Sequence, residues 1–259
     1  MSVQPKKHLG QHFLIDRNIC QKIADSFIGF QNVQYALEVG PGQGAITGDL
    51  LERKGIELHI IDLDKESIAY LKGHFPALTG RIHEADFLKV DFSSIFGNHP
   101  FAVLGNFPYN ISSQILFKCL GNRHQIPEIT GMFQRELAER VMEKPGSKQY
   151  GILSVLLQTY YDIEYCFTVS ENVFDPPPKV KSGVIRCTRN ATSTLPVDEK
   201  LHEQVVKSTF NQRRKTIRNG LKNIVDVNLL PDHAFLKLRP EKLSVDDFIE
   251  LGSISKFKD

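Results

Sequence analysis

The sequence predicts a doubly wound α/β fold: a mostly parallel, seven-stranded sheet followed by a small helical domain. Three observations carry that expectation. Short apolar runs of strand character alternate with helical patterns from the first third of the chain onward. Two late strand-like runs, TYYDIEYCFTV and GVIRCTR, have no long helix between them, which suggests an antiparallel addition at one sheet edge. Beyond about residue 190 strand character ends, and DEKLHEQVVKSTF, TIRNGLKNIV and VDDFIEL are helical in pattern. The expected domains are residues 1–190 and 191–259, joined through the polar stretch RNATSTLPV.

In chain order, DRNICQKIADSFI spaces Ile19, Ile23, Ala24 and Phe27 at helical intervals, with Asp16 as the N-cap. YALEVG is a short buried strand ending at glycine. PGQGAITGDLLERKG turns and opens a helix that Gly55 stops. ELHIIDLD is the second strand and SIAYLKGHF the next helix. A third strand centres on Ile82. PFAVLGNFPYN holds the fourth, ahead of the helix SSQILFKCLG, and EITGMFQRELAERVM is a fifth strand running into a helix. SENVFDPPPKVKS is a loop between the two late strands.

At 259 residues and 41% hydrophobic content the chain can bury a substantial core. No apolar run approaches the ~20 residues a membrane-spanning helix needs. The N-terminus, MSVQPKKHLGQHFLID, lacks the apolar segment of a secretory signal. Cys20, Cys119, Cys166 and Cys187 have no CxxC spacing, so neither a metal site nor a disulfide framework is expected, and they are read as reduced thiols of a cytoplasmic protein. Net charge is only +2, but its distribution is uneven. Lys6, Lys7 and His8 cluster at the start, and Arg213, Arg214, Lys215, Arg218 and Lys222 cluster in FNQRRKTIRNGLKN, whereas acidic residues concentrate elsewhere. Local density of this kind attracts phosphate even when the total is near neutral.

Glu38-Val-Gly40-Pro-Gly42-Gln-Gly44 lies at a strand–helix bend, where glycines let the backbone approach a ligand closely. Taken alone it could be a tight turn, and Gly40, Gly42 and Ala45 also fit a dinucleotide-binding pattern. Asp62 ends the second strand, 22 residues after Gly40, where a carboxylate can accept from both hydroxyls of a ribose. Asp64 is its neighbouring competitor. NAD and S-adenosylmethionine sites both use such an acid, so it does not choose between them. Asp86, after the third strand, could accept from an adenine amino group, with Phe87 packing on the ring; by itself it could equally be a surface acid or an N-cap.

Asn106-Phe107-Pro108-Tyr109, after the fourth strand, discriminates. An exocyclic adenine amine is a poor nucleophile because its lone pair is delocalised into the ring. Two acceptors on that amine, the Asn106 amide oxygen and an inward backbone carbonyl fixed by Pro108, favour a pyramidal nitrogen. Tyr109 offers a stacking face for an extruded base. Transfer of a sulfonium methyl is then mostly a matter of positioning. A dehydrogenase has no use for this tetrapeptide. As a bare pattern it could be an ordinary turn.

Together KKHLGQHFLID, EVGPGQGAIT, GNFPYNISS, KQYGILSV, VFDPPPKVKSGVIR and FNQRRKTIRNGLKN resemble the small-subunit ribosomal RNA adenine N6,N6-dimethyltransferases, in order from about residue 6 to residue 222. The resemblance implies the class I S-adenosylmethionine methyltransferase fold. It implies conversion of two adjacent adenosines near the 3′ end of small-subunit rRNA to N6,N6-dimethyladenosine, within a pre-ribosomal particle. It implies a cofactor envelope of His12, Leu14, Gly40, Asp62, Asp86 and Asn106, to which Glu38, Gly42 and Phe87 are added from their positions. His12 stands where the family often has asparagine, Asp62 where it usually has glutamate, and Phe107 where leucine is frequent. Phe174 matches the aromatic that would close over the target base opposite Tyr109; the bland alternative is a loop anchor packed on the core. Lys6, Lys7, Arg213, Arg214, Lys215 and Arg218 are expected to meet RNA phosphates, although basic runs are commonly solvated helix faces. The chain is expected to be a monomer. Two competing readings remain: a non-catalytic ribosome assembly factor and an N6-adenine methyltransferase acting on another nucleic acid, DNA included.

Overall fold

The computed structural model describes residues 4–6, 10–227, 230 and 232–256. The chain divides into two compact units, Met1–Glu139 with Ile163–Arg189, and Arg140–Asp162 with Asn190–Asp259. The second unit therefore takes in an internal segment as well as the tail after residue 190.

The first unit is built on β2 (Tyr35–Val39), β3 (Glu57–Asp62), β4 (Ile82–Glu84), β5 (Phe101–Asn106), β6 (Glu128–Gln134), β9 (Ser182–Arg189) and residues 163–169 of β7 (Tyr161–Val169). Their order is β4-β3-β2-β5-β6-β9-β7. The pairs from β4 to β6 are parallel and β6–β9 is antiparallel. This is the doubly wound sheet with an antiparallel edge addition that the strand–helix alternation predicts. A two-residue ladder adds to it: β1 (Phe13–Leu14) pairs antiparallel with β8 (Phe174–Asp175), inside what the sequence presents as a loop.

Local signals account for most helices. α1 (Arg17–Ser26) starts at Asp16, whose carboxylate accepts from the Asn18 and Ile19 N–H groups. α3 (Lys65–His74) is capped by Asp64 in the same way, accepting from Glu66 N–H. α5 (Ser112–Gly121) covers the expected segment. α2 (Thr47–Leu51) is shorter than expected and ends before Gly55, which adopts φ +80° in the turn into β3. α4 (Ser93–Phe96) is a single turn. α6 (Arg135–Met142) continues directly from β6.

The second unit packs α7 (Ile152–Tyr160), α8 (Glu199–Asn211), α9 (Ile217–Leu221) and α10 (Val245–Ile254). Its core holds Tyr150, Val205, Val206, Phe210, Phe248 and Leu251. Asp198 caps α8, and a reciprocal Ser244–Asp247 capping box starts α10. α7 is absent from the sequence expectation. Leu153, Ser154, Val155, Leu156, Leu157, Thr159 and Tyr160 are all buried, so the segment shows no polar face to reveal its period.

The middle of the sheet is tight. Gly105 pairs with Gly131. A Cβ on Gly105 would sit 2.6 Å from the Val39 carbonyl oxygen, and one on Gly131 would sit 2.4 Å from both the Gly105 oxygen and the Phe107 ring. The Phe107 ring lies over this bare patch, 1% exposed, and packs on Phe133 at 4.8 Å. Gly131→Ala forces backbone, not a flexible side-chain end, to give way. It is expected to lower stability by about 2–3 kcal/mol, read as a fall in urea midpoint; an unchanged midpoint would show that the sheet has slack here.

Candidate active site

A cavity of about 400 Å³ opens at the carboxyl ends of β2, β3 and β5. Open α/β sheets bind ligands at this edge, because the strand-to-helix turns there diverge and expose backbone groups. The sequence-predicted Glu38, Gly40, Gly42, Asp62, Asp86, Phe87, Asn106, Pro108 and Tyr109 all line it, as do His12 and Leu14 from the N-terminal segment.

Gly40 and Gly42 take φ values of +66° and +57°, a region side-chain-bearing residues rarely adopt. A Cβ on Gly42 would lie 2.9 Å from the Phe13 ring, so glycine also admits the N-terminal segment. Each acid at this edge has its own environment. Glu38 is 1% exposed and accepts from Thr47 Oγ1 at 2.7 Å. Burial pushes its carboxyl up to about 7, the Thr47 hydrogen bond opposes this, and the Asp62 charge adds to it. Asp62 is also pushed up by burial, opposed by the Asp64 N–H donating at 2.8 Å. Asp64, the competitor, does not line the cavity: it accepts from Lys6 Nζ, Gln11 Nε2 and Ser67 Oγ. Burial alone would raise Asp64, but the Lys6 and Gln11 bonds hold it below its ordinary range. Asp86 accepts from the Leu88 N–H at 2.9 Å, and Phe87 packs on Phe92 at 5.3 Å.

Asn106 closes β5. Its Nδ2 donates to the His12 carbonyl at 3.0 Å, which leaves Oδ1 as the acceptor end of the amide. The Pro108 carbonyl is engaged by the Ile111 N–H at 3.2 Å and Ser112 Oγ at 2.9 Å. Tyr109 shares a 2.5 Å hydrogen bond with Ser182 Oγ, and its ring stacks on His12 with centroids 5.5 Å apart. His12 Nδ1 lies 2.8 Å from the Pro176 carbonyl oxygen. Ser182, fully buried, and Gln11 were not singled out from the sequence. Both lie within the motifs KKHLGQHFLID and PPPKVKS, but neither residue type signals a role until its partner is known.

The remaining expected residues have other surroundings. Phe174 does not line the cavity; it is 3% exposed in the core cluster, and the neighbouring Asp175 takes the cavity position. Its pairing with Leu14 in the β1–β8 ladder points to the loop-anchor role. Lys6, partly exposed, is ion-paired to Asp64 and Glu66. Lys7 lies outside the described residues. Arg213 donates to the Lys148 and Ser147 carbonyls at 2.6 and 3.0 Å, satisfying loop acceptors within the second unit. Arg218 donates to the Val227 carbonyl at 2.9 Å, while Arg214 and Lys215 are exposed.

The methyl donor implied by the resemblance fits this site. The volume is that of a small-molecule pocket. Asp62 offers acceptors for a ribose diol, Asp86 for an adenine amine, and Ile61, Leu63 and Phe87 apolar surface for a purine. Because folding raises the Glu38 pKa from 4.5 to about 7, the folded state holds the proton more tightly. That stabilisation is present below about pH 4.5 and is lost as pH rises through 7. Between pH 5 and 8 the wild type is therefore expected to lose up to about 3 kcal/mol relative to Glu38→Gln. Urea titrations at the two pH values check this, and parallel behaviour of the two proteins would refute it.

Comparison with known proteins shows the family and the fold. The family profile described as ribosomal RNA adenine dimethylase matches residues 3–247. A protein of Parabacteroides distasonis named ribosomal RNA small subunit methyltransferase A is 55% identical over 256 residues, covering 98% of this chain and 95% of that protein. One of the same name from Cytophaga hutchinsonii is 53% identical over 252 residues, covering 97% of each. Among solved structures, a dimethyladenosine transferase from Plasmodium falciparum superposes with a TM-score of 0.75 at 23% identity, over 93% of this chain and 96% of that one. The 23S rRNA methyltransferase ErmE does so at 0.65 and 24%, over 93% and 99%. These two likenesses establish the fold. With the profile spanning nearly the whole sequence and relatives of more than half identity, the chain belongs to the ribosomal RNA adenine dimethylase family.

Proposed function

We propose that the protein transfers methyl groups from S-adenosylmethionine to N6 of two adjacent adenosines near the 3′ end of small-subunit rRNA, giving N6,N6-dimethyladenosine. It acts as a monomer on a pre-ribosomal particle in the cytoplasm. The observation that carries the reading is the orientation of Asn106: with Nδ2 committed to the His12 carbonyl, Oδ1 is left to accept from an adenine amine. The whole-length likeness to proteins named for small-subunit rRNA methylation supports the choice of RNA.

S-adenosylmethionine, when bound, supplies an electrophilic sulfonium methyl. Asp62 and Asp86 would hold its ribose and adenine, and the turn at Gly40 and Gly42 would admit it to the backbone. Asn106 Oδ1 and a second carbonyl accept the two amine hydrogens. Pro108's own carbonyl is engaged by Ile111 and Ser112, so Phe107's carbonyl is the candidate. Tyr109, held at its hydroxyl by Ser182, stacks on the extruded base. The alkylated amine is acidic and releases its proton without a strong general base. Tyr109 is poorly suited to be one, since burial pushes its hydroxyl above the ordinary value despite the Ser182 bond.

Labelled methyl transfer to under-methylated small subunits tests the reading. Label at paired adenosines, reduced about 100- to 1,000-fold in kcat by Asn106→Ala, is expected; tight subunit binding with no label would leave an assembly factor. Faster transfer to duplex DNA would favour another nucleic acid. Arg214→Ala and Lys215→Ala should each weaken RNA binding and lower the slope of log K against log salt by about 1. An unchanged slope would remove these two from the interface.

A further inference from the structure

One wall of the cavity is a strap, Gly10–Ile15, which crosses the ends of β3 and β5. It is held at both ends. At its far end Phe13 and Leu14 pair with Asp175 and Phe174, and the Ile15 N–H donates to the Val173 carbonyl at 2.9 Å. At its near end Asp64, 3% exposed, accepts from Lys6 and from Gln11 Nε2 at 3.2 Å. Lys6 and Gln11 also lock together, the Lys6 N–H donating to Gln11 Oε1 at 2.8 Å. The next residue after Gln11 is His12, whose carbonyl receives the Asn106 amide.

We propose that Lys6, Gln11 and Asp64 form a positioning clamp that sets the His12 carbonyl and thereby the orientation of the Asn106 amide, so that Oδ1 rather than Nδ2 meets the target amine. A primary amide has two ends of similar shape and opposite polarity. Only one end accepts, and a flipped Asn106 would present donors to a donor. The His12 carbonyl is the group that distinguishes the ends, and its position is set by whatever holds residue 11 on one side and residue 13 on the other. The clamp also gives Asp64 a role distinct from that of Asp62, two residues before it: Asp62 faces the ligand and Asp64 faces the strap.

This inference rests on the proposed reaction, and its test separates the two. Gln11→Ala and Lys6→Met, in the full chain with S-adenosylmethionine and under-methylated small subunits, are expected to slow single-turnover methylation about 10- to 100-fold. Donor affinity, measured by calorimetry without RNA, should stay within about threefold, and Lys6→Arg, which keeps the ion pair, should recover most of the rate. The Asn106 side-chain amide gives an independent reading by ¹⁵N NMR: hydrogen-bonded and slowly exchanging in the wild type, fast in Gln11→Ala. Three results would overturn the clamp: unchanged rates; a loss of donor affinity equal to the loss of rate, which makes the strap merely a wall; or, for Lys6, a salt-dependent loss confined to RNA affinity. If wild type itself fails to methylate paired adenosines, the functional reading falls, and the Asn106 exchange rates still decide whether the clamp exists.

Discussion

The site depends on how closely three strands approach one another. Val39, Gly105 and Gly131 lie side by side on β2, β5 and β6, with no room for a Cβ on either glycine. The bare Gly131 lets the Phe107 ring pack against the sheet. With Phe107 buried, Asn106 at the end of β5 and Tyr109 in the following turn both line the cavity. Catalysis by positioning needs such support, because errors of an ångström are costly.

Four carboxylates sit near the same sheet edge, and their partners give them four different jobs. Glu38 is buried against Thr47 and favours its protonated form. Asp62 rests on backbone N–H groups and keeps a face to the cavity. Asp64 is consumed by Lys6, Gln11 and Ser67. Asp86 caps a local turn while lining the cavity. Dividing the acids in this way limits mutual repulsion where several like charges converge.

In the second unit the members of one basic run have different surroundings. In FNQRRKTIRNGLKN, alternate guanidinium groups turn back on the protein: Arg213 satisfies the Ser147 and Lys148 carbonyls, and Arg218 that of Val227. A guanidinium carries five donors in a rigid fork and is well suited to satisfy loop carbonyls that lack a helical or sheet partner. The exposed cations of this segment are Arg214, Lys215 and Lys222.

The sequence by itself determined the sheet class, most of the strands in chain order, the N-cap of α1 and the glycine turn, because these follow from local periodicity and from residue types with strong backbone preferences. It also brought Asp62, Asp86 and the Asn106 tetrapeptide to one edge, since each ends a strand in a parallel sheet. It could not reveal α7, where burial on all sides erases the amphipathic period. The strand end already favours Asp62 over Asp64; only the tertiary structure gave Asp64 its Lys6 and Gln11 partners, buried Phe174, bonded Arg213 to loop carbonyls, and joined Tyr109 to Ser182 and Asn106 to His12. Those outcomes rest on partners 53 to 160 residues apart in sequence. Hydrogen bonds and ion pairs over such separations leave no local pattern, because either residue type would look the same with any other partner.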